Sequence, residues 1–235
     1  MPWRVEDLSE AVARRLARFE ADLAAEQAVH GLDALDEPAL HPLIADGLAQ
    51  LGHHVLREQP YPGPFARRPP HRDRERCDLV ALPEGSRTLL DPLALLKARD
   101  ARQATLFAHA DSAPPEGTLP EDAFWLEVKC VAQTNFVDGV PVSNRSYTSQ
   151  LMRGPAMDLA KLAREPMITA GGSLLLLFGA DAGVVRHDLA VMLRGLIDRD
   201  LPIASPAIEI VPIADRSGNA CVGVCLVPLR AVRDR

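Results

Sequence analysis

A chain of 235 residues with 47% apolar content can bury one sizeable core, and with aromatics at only 4% that core must be filled by Leu, Val, Ile and Ala. The formal charge of −6 excludes indiscriminate coating of nucleic acid but leaves room for a local basic cleft, because binding depends on where charge sits. The charged start Met1-Pro2-Trp3-Arg4-Val5-Glu6-Asp7 lacks the apolar run of a signal peptide, and no stretch approaches the roughly 18 apolar residues of a membrane span, so a cytoplasmic protein with no membrane partner is expected.

Val5, Leu8, Val12, Leu16, Phe19 and Leu23 recur at spacings of three and four, which predicts an amphipathic helix over 5–29 that pads the core. A second helix is expected over 37–51, with Pro38 in its first turn and Gly52 stopping it. Strands follow over 54–58 and 76–82, separated by a Pro-rich loop over 60–70. A long insertion over 83–121 carries a helix signal at 91–109, started by Asp91-Pro92. Beyond it, 124–132 reads as a strong strand, 135–146 as a loop and 147–164 as a helix. Gly171-Gly172 reads as a turn before a buried apolar strand at 173–178. A helix over 184–199 and a hairpin of 207–212 with 220–228 complete the order. Cys77, Cys130, Cys221 and Cys225 have no Cys-x-x-Cys spacing and read as buried free thiols. This order predicts one α/β domain over 1–235. Its central mixed β-sheet is flanked by helices, with an N-terminal helix at 1–30 and a C-terminal helix plus β-hairpin at 183–235.

The chemistry-bearing residues fall on two of the predicted strands. Alternation along 124–132 puts Glu127 and Lys129 on one face and Val128 on the other, among Leu126 and Cys130. Asp78 sits between Cys77 and Leu79 on the preceding strand. Two carboxylates and an ammonium converging across adjacent strands suit phosphodiester hydrolysis. Hard cations such as Mg²⁺ or Mn²⁺ bind carboxylate and carbonyl oxygens and lower the pKa of an attacking water. A nearby lysine can orient that water or stabilise developing negative charge.

Asp78 followed by Glu127-Val128-Lys129, on consecutive strands after a helix led by Glu37, resembles the PD-(D/E)xK, or restriction-endonuclease-like, nuclease superfamily. The resemblance implies a restriction-endonuclease-like core in which Asp78, Glu127 and the Val128 carbonyl hold the metal. Lys129 would attend the nucleophilic water and Glu37 would act through the metal shell. It also implies a polar or basic residue on the following helix, for which Gln150 and Lys161 are the candidates. The sequence lacks the Gln-x-x-x-Tyr signature of RecB-like members, since Tyr147 and Gln150 occur in the wrong order and spacing.

Glu-x-Lys alone occurs by chance on many exposed strands, where it is a solvated ion pair; the ordered combination is the informative part. Arg67, Arg68, Arg72, Arg74 and Arg76 crowd the loop before Asp78 and could contact phosphate, with Arg74 and Arg76 nearest the strand, although Asp73 and Glu75 dilute them. Asp158 and Lys161, three apart on a helix, could form a surface ion pair instead of joining a site. The expected function is cleavage of nucleic acid, DNA ahead of RNA, with recognition supplied by a homodimer or a partner protein. The alternative is an inactive nuclease-fold protein serving as a binding or assembly module. A third reading, an unrelated α/β protein, predicts that Asp78 lies far from Glu127 and Lys129.

Overall fold

A computed structural model describes residues 3–63, 75–92, 95, 116–137 and 140–230. In chain order the elements are α1 (Val5–Ala25), α2 (Glu37–Ala49), β1 (His54–Pro60), β2 (Arg76–Leu82), β3 (Phe124–Ala132), β4 (Thr134–Val137), β5 (Val140–Ser143), α3 (Tyr147–Ala163), β6 (Ala170–Gly179), α4 (Ala182–Ile197), β7 (Ala207–Pro212) and β8 (Cys221–Pro228). Among the described residues six strands form one mixed sheet in the order β1-β2-β3-β6-β8-β7, flanked by four helices. Among the described residues its one parallel pair is β3 with β6, joined through α3 as the crossover that parallel strands require. The expected helix over 91–109 falls almost wholly outside the described residues.

The sheet is covered on both faces. Leu126 and Val128 of β3 join Leu8, Val12 and Leu16 of α1 and Leu40, Ile44 and Leu48 of α2 in one apolar cluster. Val131 joins Leu151 and Leu159 of α3 and Val185, Leu189 and Met192 of α4 in another, across the sheet. The period-two alternation expected of β3 is therefore realised, and α1 pads the core as its stripe implies. Among the described residues no helix is long and apolar enough to cross a membrane.

Two local expectations are corrected. The segment expected as a loop over 135–146 instead holds the β4–β5 hairpin, with Phe136 opposite Pro141 and Val137 opposite Val140. Its strands are four residues each and largely exposed, so they carry no buried period to read; Asp138-Gly139 between them is a hairpin-turn dipeptide in sequence. Gly171 and Gly172 are not a turn but the second and third residues of β6. They are glycines because neighbouring backbone crowds them from both sides. A Cβ at Gly171 would stand 2.6 Å from the Trp125 carbonyl oxygen, and one at Gly172 2.5 Å from that of Val227.

Candidate functional site: a polar fork between β2 and β3

β2 and β3 pair antiparallel from Leu79↔Leu126 to Ala81↔Phe124, and beyond Leu126 the ladder stops. The β3 amides that would face β2 are satisfied by carboxylates instead. Val128 N–H donates to Asp78 Oδ2 at 2.8 Å, and Cys130 N–H donates to Glu37 Oε2 at 3.0 Å. An unpaired buried amide costs roughly 1–3 kcal/mol, so the two acids stabilise the parting of the strands as well as lining it.

Glu37 is brought here by the local rules that start α2. Asp36 caps the helix by accepting from Ala39 N–H at 2.9 Å, and Pro38 occupies the first turn. That makes Glu37 the first residue of the helix, where an anion is favoured by the helix dipole. Its other oxygen, Oε1, accepts from Lys129 Nζ at 3.1 Å, and Lys129 Nζ also lies 3.9 Å from Asp158 Oδ2 of α3. Glu127 is 2% exposed, and its Oε1 accepts from Lys161 Nζ at 2.8 Å and from the Tyr61 hydroxyl. Tyr61 is held in turn by stacking on Trp125, with ring centroids 6.0 Å apart, and the Lys161 ammonium lies 5.1 Å from the Tyr61 ring centroid.

Of the residues singled out from sequence, Glu37, Asp78, Glu127, Lys129 and Lys161 all come to this fork. Asp78 does not lie far from the motif, as the third reading expected, but accepts from the Val128 amide. Asp158 and Lys161 are not the surface pair that their spacing allowed: Asp158 is buried and faces Lys129, while Lys161 faces Glu127. Gln150 is exposed and accepts from Asn144 Nδ2 at 2.8 Å. Arg76 is exposed and donates to the Glu58 carbonyl at 2.9 Å. Arg74, with Arg67, Arg68 and Arg72, lies outside the described residues. Tyr61 and His41 were not singled out. Tyr61 sits in a Pro-rich stretch with no local signal, whereas His41 could have been noticed four residues after Glu37, on the same helix face.

The electrostatics of the fork are those of crowded acids. Burial pushes the Glu127 carboxyl up to about 7, with Asp78 adding repulsion, against the downward pull of Lys161 and Tyr61. Burial pushes Asp158 up to about 6, against the pull of Lys129 and Lys161 and with the push of Asp78 and Glu37. Burial alone would lower Lys129, but Asp158 and Glu37 outweigh it and raise it above the ordinary lysine value. Among the described residues four carboxylates (Glu37, Asp78, Glu127, Asp158) face two ammonium groups (Lys129, Lys161), an excess of two negative charges when all are ionised. One ligand atom each from Glu37, His41 and Asp78 lies within 4.8 Å of the other two. The donor set and the charge excess both fit a divalent cation.

Beside the fork runs a groove of 610 Å³ that shares Asp158 and Lys161 with it and is further lined by Glu75, Arg153, Arg164 and Arg199. Among the described residues four basic groups, of which Lys161 is paired with Glu127, stand against two acids in this lining, on a chain whose net charge is −6. Comparison with protein-family models, with curated proteins and with solved structures finds no match to this chain.

Proposed function

We propose that this chain is a metal-dependent nuclease with a restriction-endonuclease-like core, cutting DNA ahead of RNA at the β2–β3 fork. The observation that carries this reading is the meeting of Glu37, Asp78, Glu127 and Lys129 at one parting of strands, in the order the superfamily resemblance requires. Mg²⁺ or Mn²⁺ held by Asp78 and Glu37, with the Val128 carbonyl added by the resemblance, would neutralise phosphate charge and make water acidic enough to attack. Lys129 Nζ, fixed by Glu37 Oε1, supplies a positive charge for the developing oxyanion. Glu127, with its proton affinity near neutrality, can take a proton from an attacking water at physiological pH. Arg153, Arg164 and Arg199 in the adjoining groove offer contacts to a phosphate backbone.

The test is incubation of the purified chain with single- and double-stranded DNA and RNA in Mg²⁺ or Mn²⁺. Cleavage is expected, falling by about a hundredfold or more in Asp78→Asn and Lys129→Ala with melting temperatures near that of the wild type. No cleavage of any of the four substrates with either ion sinks the reading. One observation favours the second reading, an inactive binding or assembly module: Glu127 Oε1 is already engaged by both Lys161 and Tyr61. That reading expects nucleic-acid or protein binding with no metal-dependent cleavage.

A further inference from the structure

We infer that His41 is a metal ligand, and that with Glu37 and Asp78 it forms a mixed nitrogen–oxygen centre that takes Mn²⁺ in preference to Mg²⁺. This deepens the nuclease reading and rests on it for the use made of the cation, though not for its binding.

His41 is 3% exposed, and neither of its ring nitrogens has a hydrogen-bond partner among the described residues. An imidazole buried in that state costs roughly 1–3 kcal/mol, which packing alone does not require, since an apolar residue would fill the same place on α2. The sequence places it well. Glu37 and His41 are four residues apart on α2, so their side chains lie one above the other on the same helix face. Asp78 meets them from β2.

One ring nitrogen of His41 and one oxygen from each acid lie within 4.8 Å of one another. Ligand atoms around one first-row cation stand at most about 4.4 Å apart, given metal–ligand bonds of about 2.0–2.2 Å. No more than one pair of the three can be trans and the others stand about 3–3.8 Å apart, so the three side chains close the shell by drawing together by up to about an ångström. The carboxylates are already steered: Asp78 by the Val128 amide, Glu37 by the Cys130 amide and by Lys129. Each bonded oxygen keeps a second lone pair for a metal. An imidazole donor suits first-row transition ions, whereas Mg²⁺ favours oxygen ligands and retained water. This centre therefore discriminates between the two ions.

The experiment is titration of the full chain with Mn²⁺, followed by electron paramagnetic resonance, with pulsed detection of ¹⁴N coupling on the bound ion. One Mn²⁺ per chain is expected, with imidazole nitrogen coupling and with Mg²⁺ competing only at about tenfold or higher concentration. His41→Asn should weaken Mn²⁺ at least about tenfold and remove the coupling, while Glu127→Gln keeps the coupling. If His41→Asn does not fold, the coupling in the unaltered chain still decides. Bound Mn²⁺ without nitrogen coupling, or no Mn²⁺ binding, overturns the inference. Coupling without cleavage would sink the nuclease reading and leave His41 a ligand. Cleavage supported by Mn²⁺ that shows no coupling would do the reverse.

Discussion

Two buried glutamates in this chain are handled in different ways. Glu20 of α1, 5% exposed, accepts from Leu32 N–H at 3.3 Å and Ala214 N–H at 3.1 Å, and from the Arg216 guanidinium. Its donors include two backbone amides, which neither titrate nor move without unfolding. It ties α1 to the turn of the C-terminal hairpin, where Arg216 also donates to the Ala28 carbonyl at 3.2 Å. Glu127, about as deeply buried, is held by two side-chain tips, Lys161 and Tyr61, and burial raises it to about 7. A buried acid built for architecture is bound by fixed donors; one with its proton affinity near neutrality, beside other acids, is suited to chemistry.

The comparison is broken most forcefully at Glu20. Glu20→Ala should destabilise the fold by about 3–5 kcal/mol, read by denaturant melting, because Arg216 and two amides are left buried without their partner. Next in size is the pH dependence at Glu127. The folded carboxyl, at about 7 against an ordinary 4.5, is protonated more readily than in the unfolded chain. Its contribution is complete below the unfolded value and is lost as pH rises through about 7, to a total of about 3 kcal/mol. Asp158, raised from 3.8 to about 6, acts in the same direction at lower pH. Stability should therefore fall between pH 5 and 8, and Glu127→Gln should flatten most of that fall.

Tyr61→Phe sharpens the same contrast at a cost of about 1.5–3 kcal/mol, the worth of a hydrogen bond to a charged group. Without the hydroxyl the Glu127 carboxyl rises further, so the acidic limb of a cleavage pH profile should move to higher pH. A limb that stays in place would show that Glu127 does not hold the proton in question. The smallest effect is expected in the groove. Arg153→Ala should weaken nucleic-acid binding a few-fold irrespective of sequence and reduce the salt slope by about 1, if Arg153 contacts one phosphate.

The elements legible in the sequence were those whose apolar pattern is long and one-sided. α1, α2, α3 and α4 stand within a few residues of where their stripes put them, and β3 alternates as its residues require. The β4–β5 hairpin was not legible because both of its strands are short and exposed. Gly171-Gly172 misled because the usual meaning of paired glycine is a turn. Here it marks positions on β6 where a side chain would meet the backbone of a neighbouring strand, which depends on Trp125 and Val227, distant in sequence.

For the site, the local code determined which residues carry charge, on which face of which element, and in what order. Alternation on β3 and the cap at Asp36 are decided within a few residues, so Glu37, Asp78, Glu127 and Lys129 could be named from the chain alone. Only the tertiary structure decided that β2 and β3 part after Leu126, and that Asp78 and Glu37 cap the freed amides. The same is true of the turn of Asp158 and Lys161 inward and of the arrival of Tyr61 at Glu127. His41 likewise gains its meaning from burial beside Asp78, a residue of another element. Burial, and with it the cost of an unpaired charge or ring nitrogen, is a property of what packs around a residue; no spacing along the chain encodes it.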